Sequence, residues 1–210
     1  MGLRIALLVS GASGMLLPRR LLAALAARPQ VERVHLVVSA GASQVLRHEL
    51  GAERTGAADL VAAALEGNDP SAADKIVVHR DSALDAAISS GSYRLAGTVI
   101  LPCSAGTLGA LASGAARTLI HRAGAVALKE RWPLILGFRE TPLTLVHLEN
   151  LRRLAYSGAV ILPPIPAFYI GGEKLERFAD HYALRVLDLL GVGGEDEPSG
   201  DSLRWRPDGK

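Results

Sequence analysis

Four short runs in this chain are built of Val, Ile and Leu with little polar alternation: Leu3 to Val9, Arg33 to Val38, Thr98 to Leu101 and Pro133 to Phe138. A strand with one face in water alternates apolar with polar residues, so runs of this kind belong to strands buried on both faces. Between them lie stretches of helical period, the first from Leu17 to Ala27 with Pro18 near its start. Strands alternating with helices predict the α/β class, as a three-layer α/β/α sandwich around a mostly parallel, Rossmann-like (flavodoxin-like) sheet. The rest of the chain keeps the pattern. Helices are expected after Ser39 through Leu50, from Ala57 to Leu65, from Ala83 to Ser89, from Leu143 to Tyr156 and from Lys174 to Leu190. A long helical region from Thr107 to Lys129 is expected to break near Gly114 or Gly124, and further strands cover Lys75 to His79 and Ala159 to Leu162.

The chain has 210 residues, 49% of them hydrophobic, enough for one substantial core, and a single domain over residues 1–192 is the economical reading. From 193 to 210 the chain reads as a polar tail without apolar periodicity, in which Trp205 could dock on a neighbouring surface. No segment approaches the roughly 20 apolar residues of a membrane span, and MGLRIALLVSG runs into a strand pattern rather than a cleavage site, so a soluble cytoplasmic protein is expected. Cys103 is the only cysteine, which leaves no internal disulfide, and it reads best as a small buried hydrophobe. The histidines His35, His48, His79, His121, His147 and His181 show no ligand spacing, so no metal is expected. Net charge is +2, but the basic residues are scattered and aromatics are 4% of the chain, which argues against a nucleic-acid groove and suits a small anionic ligand.

Ligands of open α/β sheets collect beyond the carboxyl ends of the strands. Small hydroxyl residues fall there: Ser10 and Ser13 after the first strand, Ser39 after the second, Ser104 and Thr107 after the Thr98 run. Gly11, Gly14 and Gly106 allow close backbone approach, and helix starts after GASG and SAGT offer positive dipole ends, so two phosphate-sized sites are expected. GASG is neither a dinucleotide fingerprint, which needs a third glycine, nor a nucleophile elbow, since Met15 follows. Charge gathers at both ends of one strand, Lys129-Glu130-Arg131 before it and Arg139-Glu140 after it. A strand from Trp132 to Phe138 spans roughly 20 Å, so Lys129 and Arg139 of one subunit should not hold the same phosphate. Either Lys129 is structural or a neighbouring subunit completes the site. Ala-, Gly- and Leu-rich helices make burial of helix faces in an oligomer reasonable.

Taken together, GASG, Ser39 with Glu49 ten positions on, ISSGS from Ile88, VILPCS around Cys103, LKER-PL from Leu128, RETPL from Arg139, GAVI-PP-PAFY from Gly158 and RVLD from Arg185 resemble the UbiX flavin prenyltransferases. The resemblance runs in order from about Leu3 to Leu190, and LKER-PL with RETPL and PP-PAFY is its specific part. It implies a homododecamer that joins the dimethylallyl group of dimethylallyl monophosphate to reduced FMN, making the prenylated FMN used by UbiD-type decarboxylases. Carried over by position, Gly11, Ala12, Ser13, Ser39, Ser104, Ala105, Gly106, Thr107 and Arg139 would bind FMN. Tyr169 and Arg185 would bind the dimethylallyl phosphate, with Arg122, Lys129 and Glu140 lining that pocket across a subunit boundary. Cations would stabilise the leaving phosphate, Glu140 would give it a proton, and Ser13 and Glu49 would relay protons while the fourth flavin ring closes. No metal is implied.

The chain departs from the family pattern in places. MLLPRR stands where many members have a Tyr-Gly pair, LGAERTGAAD follows Glu49 in place of a Thr-Asp start, and two small residues separate Ser104 from Thr107. These changes alter pocket shape and leave the phosphate and flavin positions intact. Other readings are a flavin-dependent cysteine decarboxylase, for which no histidine or Asn-containing segment stands in a matching position, and a non-catalytic FMN carrier or decarboxylase subunit. The carrier would not need Lys129, Glu140, Tyr169 and Arg185 together. A generic nicotinamide reductase lacks its glycine fingerprint.

Overall fold

The structure, a computed structural model, describes residues 2–51, 56–67, 69–170, 174–193 and Leu203. The tail expected from residue 193, Trp205 included, falls almost wholly outside the described residues. The strands are β1 (Leu3–Val9), β2 (Val31–Val38), β3 (Ile76–Arg80), β4 (Gly97–Cys103), β5 (Leu134–Phe138) and β6 (Val160–Ile161). They form one sheet in the order β3-β2-β1-β4-β5-β6, with every neighbouring pair parallel. The helices are α1 (Leu16–Ala26), α2 (Ala40–Glu49), α3 (Ala57–Leu65), α4 (Ala105–Ala112), α5 (Leu119–Glu130), α6 (Leu145–Tyr156) and α7 (Leu175–Leu189).

Alternation along β1 divides the core in two. Ile5, Leu7 and Val9 pack with α1, α2, α3 and α7, whereas Ala6 and Leu8 pack with α4, α5 and α6. That is the double winding which the unbroken apolar runs predict, and β4 and β5 are buried along their whole length. Helix α1 shows why each helix docks as it does: Leu17, Leu21, Leu22 and Leu25 recur at helical spacing and all are buried. Each such side chain contributes about 1.5–3 kcal/mol of burial.

The chain departs from expectation in two places, at Ala83–Ser89 and at the end of β4, and decides between two alternatives in a third. The segment from Ala83 to Ser89 is not a helix but bends, with a single 3-10 turn at Ala87–Ser89. Tertiary contacts override its alanine content, because Asp81 is drawn to the start of α5, its backbone oxygen accepting from Leu119 N at 2.7 Å and its Oδ1 from Ile120 N at 3.0 Å. The long helical region breaks at the first of its two expected glycines: α4 ends at Ala112, Gly114 adopts φ +76°, and Thr118 caps the next helix by accepting from His121 N. Gly124 instead lies inside α5, where a Cβ would come 2.8 Å from Leu111 Cδ2. Finally, β4 continues past Leu101 through Pro102, which follows a cis peptide bond, to Cys103.

Candidate active site

The strand order reverses between β1 and β4, and the loops after these strands are tied together at that crevice. Ser10 makes the tie. Its hydroxyl, 2% exposed as a residue, accepts from Ser104 N at 2.8 Å and donates to Pro102 O at 3.0 Å, while Ser10 N reaches Pro102 O at 3.2 Å. Ser104 then caps α4, its Oγ accepting from Thr107 N at 3.3 Å and lying 3.1 Å from Thr107 Oγ1. Ser39 caps α2 in the same way, accepting from Ala42 N at 3.1 Å, and its own N–H bonds Val9 O. Gly11 packs on Gly41 backbone to backbone: a Cβ at Gly11 would lie 2.9 Å from the Gly41 carbonyl carbon, which only glycine avoids. Arg139 N completes the edge by bonding Cys103 O at 3.1 Å, so Arg139 and Glu140 stand beside the start of α4.

These contacts bring Gly11, Ala12, Ser13, Ser39, the Ser104–Thr107 turn, Arg139 and Glu140 to one sheet edge. The helix starts at Ser39 and Ser104 point N–H groups at that edge, and over Gly106 a Cβ would meet nothing within 4 Å. This space, with the dipole ends and hydroxyls, fits a phosphate. The other expected anion site is already filled. Glu49, from the end of α2, accepts from Gly14 N at 3.0 and 3.1 Å through its two oxygens and from Met15 N at 2.7 Å. The start of α1 therefore carries the chain's own carboxylate rather than a second phosphate. A cavity of about 580 Å³ opens beside it, lined by the polar Ser13 and Glu49 and by the apolar Leu16, Leu17, Leu50 and Phe178.

The remaining predicted residues form two further groups. Tyr169, in a 3-10 turn, places its hydroxyl 3.3 Å from His181 Nε2, and Arg185 follows His181 by one turn of α7, pairing with Asp188 at 3.4 Å. His181 thus links Tyr169 to the Arg185 turn. Burial first, and then the charge of Arg185, lower its pKa against the opposing pull of Asp188. Nothing in the local spacing of the sequence marks this contact, because the partner of His181 lies twelve residues back. Arg122 and Lys129 lie on α5. Arg122 Nε donates to Ser89 O at 3.0 Å, and Lys129, paired with Glu130, stands at the C-terminal end of the helix. Strand β5 separates that end from Arg139, as the length of the strand requires.

Among the described residues no group of three or more His, Cys, Asp or Glu side chains is placed to hold a metal ion, and no helix is long and apolar enough to cross a membrane. Burial pushes the Cys103 thiol up to about 12, consistent with a packing role.

Comparison with known proteins assigns this architecture. The profile of the flavoprotein family matches residues 1–180. The flavin prenyltransferase UbiX of Pseudomonas aeruginosa is 41% identical over 190 residues, 90% of each chain. Among solved structures, AnUbiX (PadA1) in complex with FMN and dimethylallyl pyrophosphate superposes with a TM-score of 0.82 at 36% identity, covering 98% of both chains. A dodecameric FMN-dependent UbiX-like decarboxylase from Escherichia coli gives 0.81 at 34% identity, covering 97% of this chain and 100% of its own. A capped, glycine-lined edge on a parallel sheet, with relatives of this likeness along nearly the whole chain, places the protein in the flavoprotein family and, within it, among the UbiX-type flavin prenyltransferases.

Proposed function

We propose that the protein transfers the dimethylallyl group of dimethylallyl monophosphate to reduced FMN, releasing phosphate and yielding prenylated FMN for a UbiD-type decarboxylase. The observation that carries the reading is the joined edge, where two serine-capped helix starts and Arg139-Glu140 converge at the β1/β4 crevice. Gly11, Ala12, Ser13, Ser39, Ser104, Ala105, Gly106, Thr107 and Arg139 hold the FMN, its phosphate on the open helix starts. Reduced flavin supplies the nucleophile. Tyr169 and Arg185 hold the phosphate of the donor, and Arg122 and Lys129 join them from a neighbouring subunit of a homododecamer. That assembly is favoured by the dodecameric relative and by the length of β5. Exposed apolar side chains on α6, among them Leu145, Val146 and Tyr156, and Phe168 in the 3-10 turn at Phe168–Ile170, suit burial between subunits.

The donor's C–O bond breaks as phosphate departs, so the cations stabilise charge that grows in the transition state. Glu140 delivers a proton to the leaving phosphate, and Ser13 and Glu49 carry protons during ring closure. Residues 1–192 act as one flavin-binding domain, residues 193–210 as an appended tail, and the protein works in the cytoplasm. The likenesses above favour this reading over a cysteine decarboxylase or a non-catalytic carrier.

Anaerobic incubation with reduced FMN and dimethylallyl monophosphate, followed by mass spectrometry, is expected to give flavin plus one five-carbon unit. Glu140→Gln should bind FMN normally and form the adduct about 100-fold or more slowly. FMN binding without any adduct would leave only the carrier reading, and an unchanged rate in the variant would remove the proton donor.

A further inference from the structure

The connection between β3 and β4 crosses the second face of the sheet, burying Ile88 and Leu95. Its anchor is polar. His35, on β2 and 4% exposed, places Nε2 2.9 Å from the Tyr93 hydroxyl and Nδ1 2.9 Å from His79 Nε2 on β3. The Arg4 guanidinium lies over the Tyr93 ring, 4.9 Å from its centre. A buried polar group of this kind is kept only where its partners are satisfied. Burial, followed by the charges of His79, Arg33 and Arg4, lowers the pKa of His35 to about 4, so at neutral pH it has one donor and one acceptor nitrogen. Each of its two contacts then shares one proton, and the row Tyr93, His35, His79 is complete.

The same connection touches both cations of α5. The Ser89 carbonyl accepts from Arg122 Nε at 3.0 Å. Gly91 sits so close to the end of the helix that a Cβ there would overlap the Glu130 carboxylate and come 2.7 Å from Lys129 Nζ. We propose that the Tyr93–His35 hydrogen bond is a positioning device for the prenyl donor: it fixes the turn at residues 87–93, and the Ser89 carbonyl and Gly91 backbone then set where Arg122 and Lys129 stand. Tyr93 and His35 act on the donor only through this turn and are positioning residues. The inference rests on the assignment of Arg122 and Lys129 to the donor phosphate.

The test uses the assembled full-length protein loaded with oxidised FMN, so that nothing turns over, and measures binding of dimethylallyl monophosphate by calorimetry. Tyr93→Phe should weaken the donor about tenfold and leave FMN affinity unchanged, since one net hydrogen bond is of that order. Gly91→Ala, which leaves the polar row intact, should do the same, and His35→Gln should retain more affinity than His35→Leu. Arg122→Ala and Lys129→Ala are the reference. If they weaken the donor while Tyr93→Phe and Gly91→Ala do not, the inference falls and the functional reading stands. A Tyr93→Phe protein that melts earlier but binds donor normally also overturns it, as does equal weakening of FMN and donor. If neither reference variant affects the donor, the assignment of the two cations fails and takes the inference with it.

Discussion

Acid should unfold this protein partly through His35. The imidazole titrates near 6.5 in an unfolded chain and only at about 4 in the folded one, chiefly because burial disfavours its charged form and also because His79, Arg33 and Arg4 add positive charge nearby. The sign follows from proton uptake. Between these two values the unfolded chain binds a proton that the folded chain refuses, so stability is full above pH 6.5 and is lost as pH falls towards 4. A difference of roughly 2.5 pH units at 1.36 kcal/mol each gives about 3 kcal/mol. His79, His121 and His181 are also lowered by burial and act in the same direction, so wild-type acid sensitivity alone cannot be assigned. The comparison that isolates His35 is urea unfolding of wild type and His35→Gln between pH 7 and 4, at one fixed protomer concentration because assembly contributes. Wild type should lose about 3 kcal/mol more than the variant across that range. Parallel curves, agreeing within about 0.5 kcal/mol, would refute a buried neutral His35.

Two other substitutions probe the sheet edge. Glu49→Ala leaves the N–H groups of Gly14 and Met15 to water and should lower stability by about 1 kcal/mol, with Glu49→Gln closer to wild type; an unmoved urea midpoint would contradict the capping role. Gly11→Ala drives a methyl against the Gly41 backbone and should weaken FMN about tenfold or more by fluorescence titration; unchanged affinity would show that the two loops can part without cost.

Much of this fold could be read from local pattern, because the signal for a strand buried on both faces is carried by the strand itself. Leu3–Val9 and Ala57–Leu65 have the bounds that the pattern predicts. The errors fall where a distant group decides. Ala83 to Ser89 has helical composition, but Asp81 and the buried Ile88 commit it to covering the sheet. The serines were legible as a row because each stands where its strand ends, and in the structure Ser39 and Ser104 cap the helices that follow. The contact of Glu49 with Gly14 spans 35 positions, and that of Tyr93 with His35 spans 58, so no local spacing could announce either. That Lys129 and Arg139 stand at opposite ends of β5 is legible too, because chain order and strand length alone set it.

The filled start of α1 has a consequence for selectivity. This sheet has the strand order of the dinucleotide-binding fold, in which the first turn and helix start receive a pyrophosphate. Here a carboxylate already sits on those amides, and a second phosphate arriving there would meet like charge and would have to evict a side chain that the fold itself supplies. The chain thus keeps the scaffold on which dinucleotides are bound while barring the place where their bridging phosphates would rest, and a mononucleotide is the ligand that loses nothing by it.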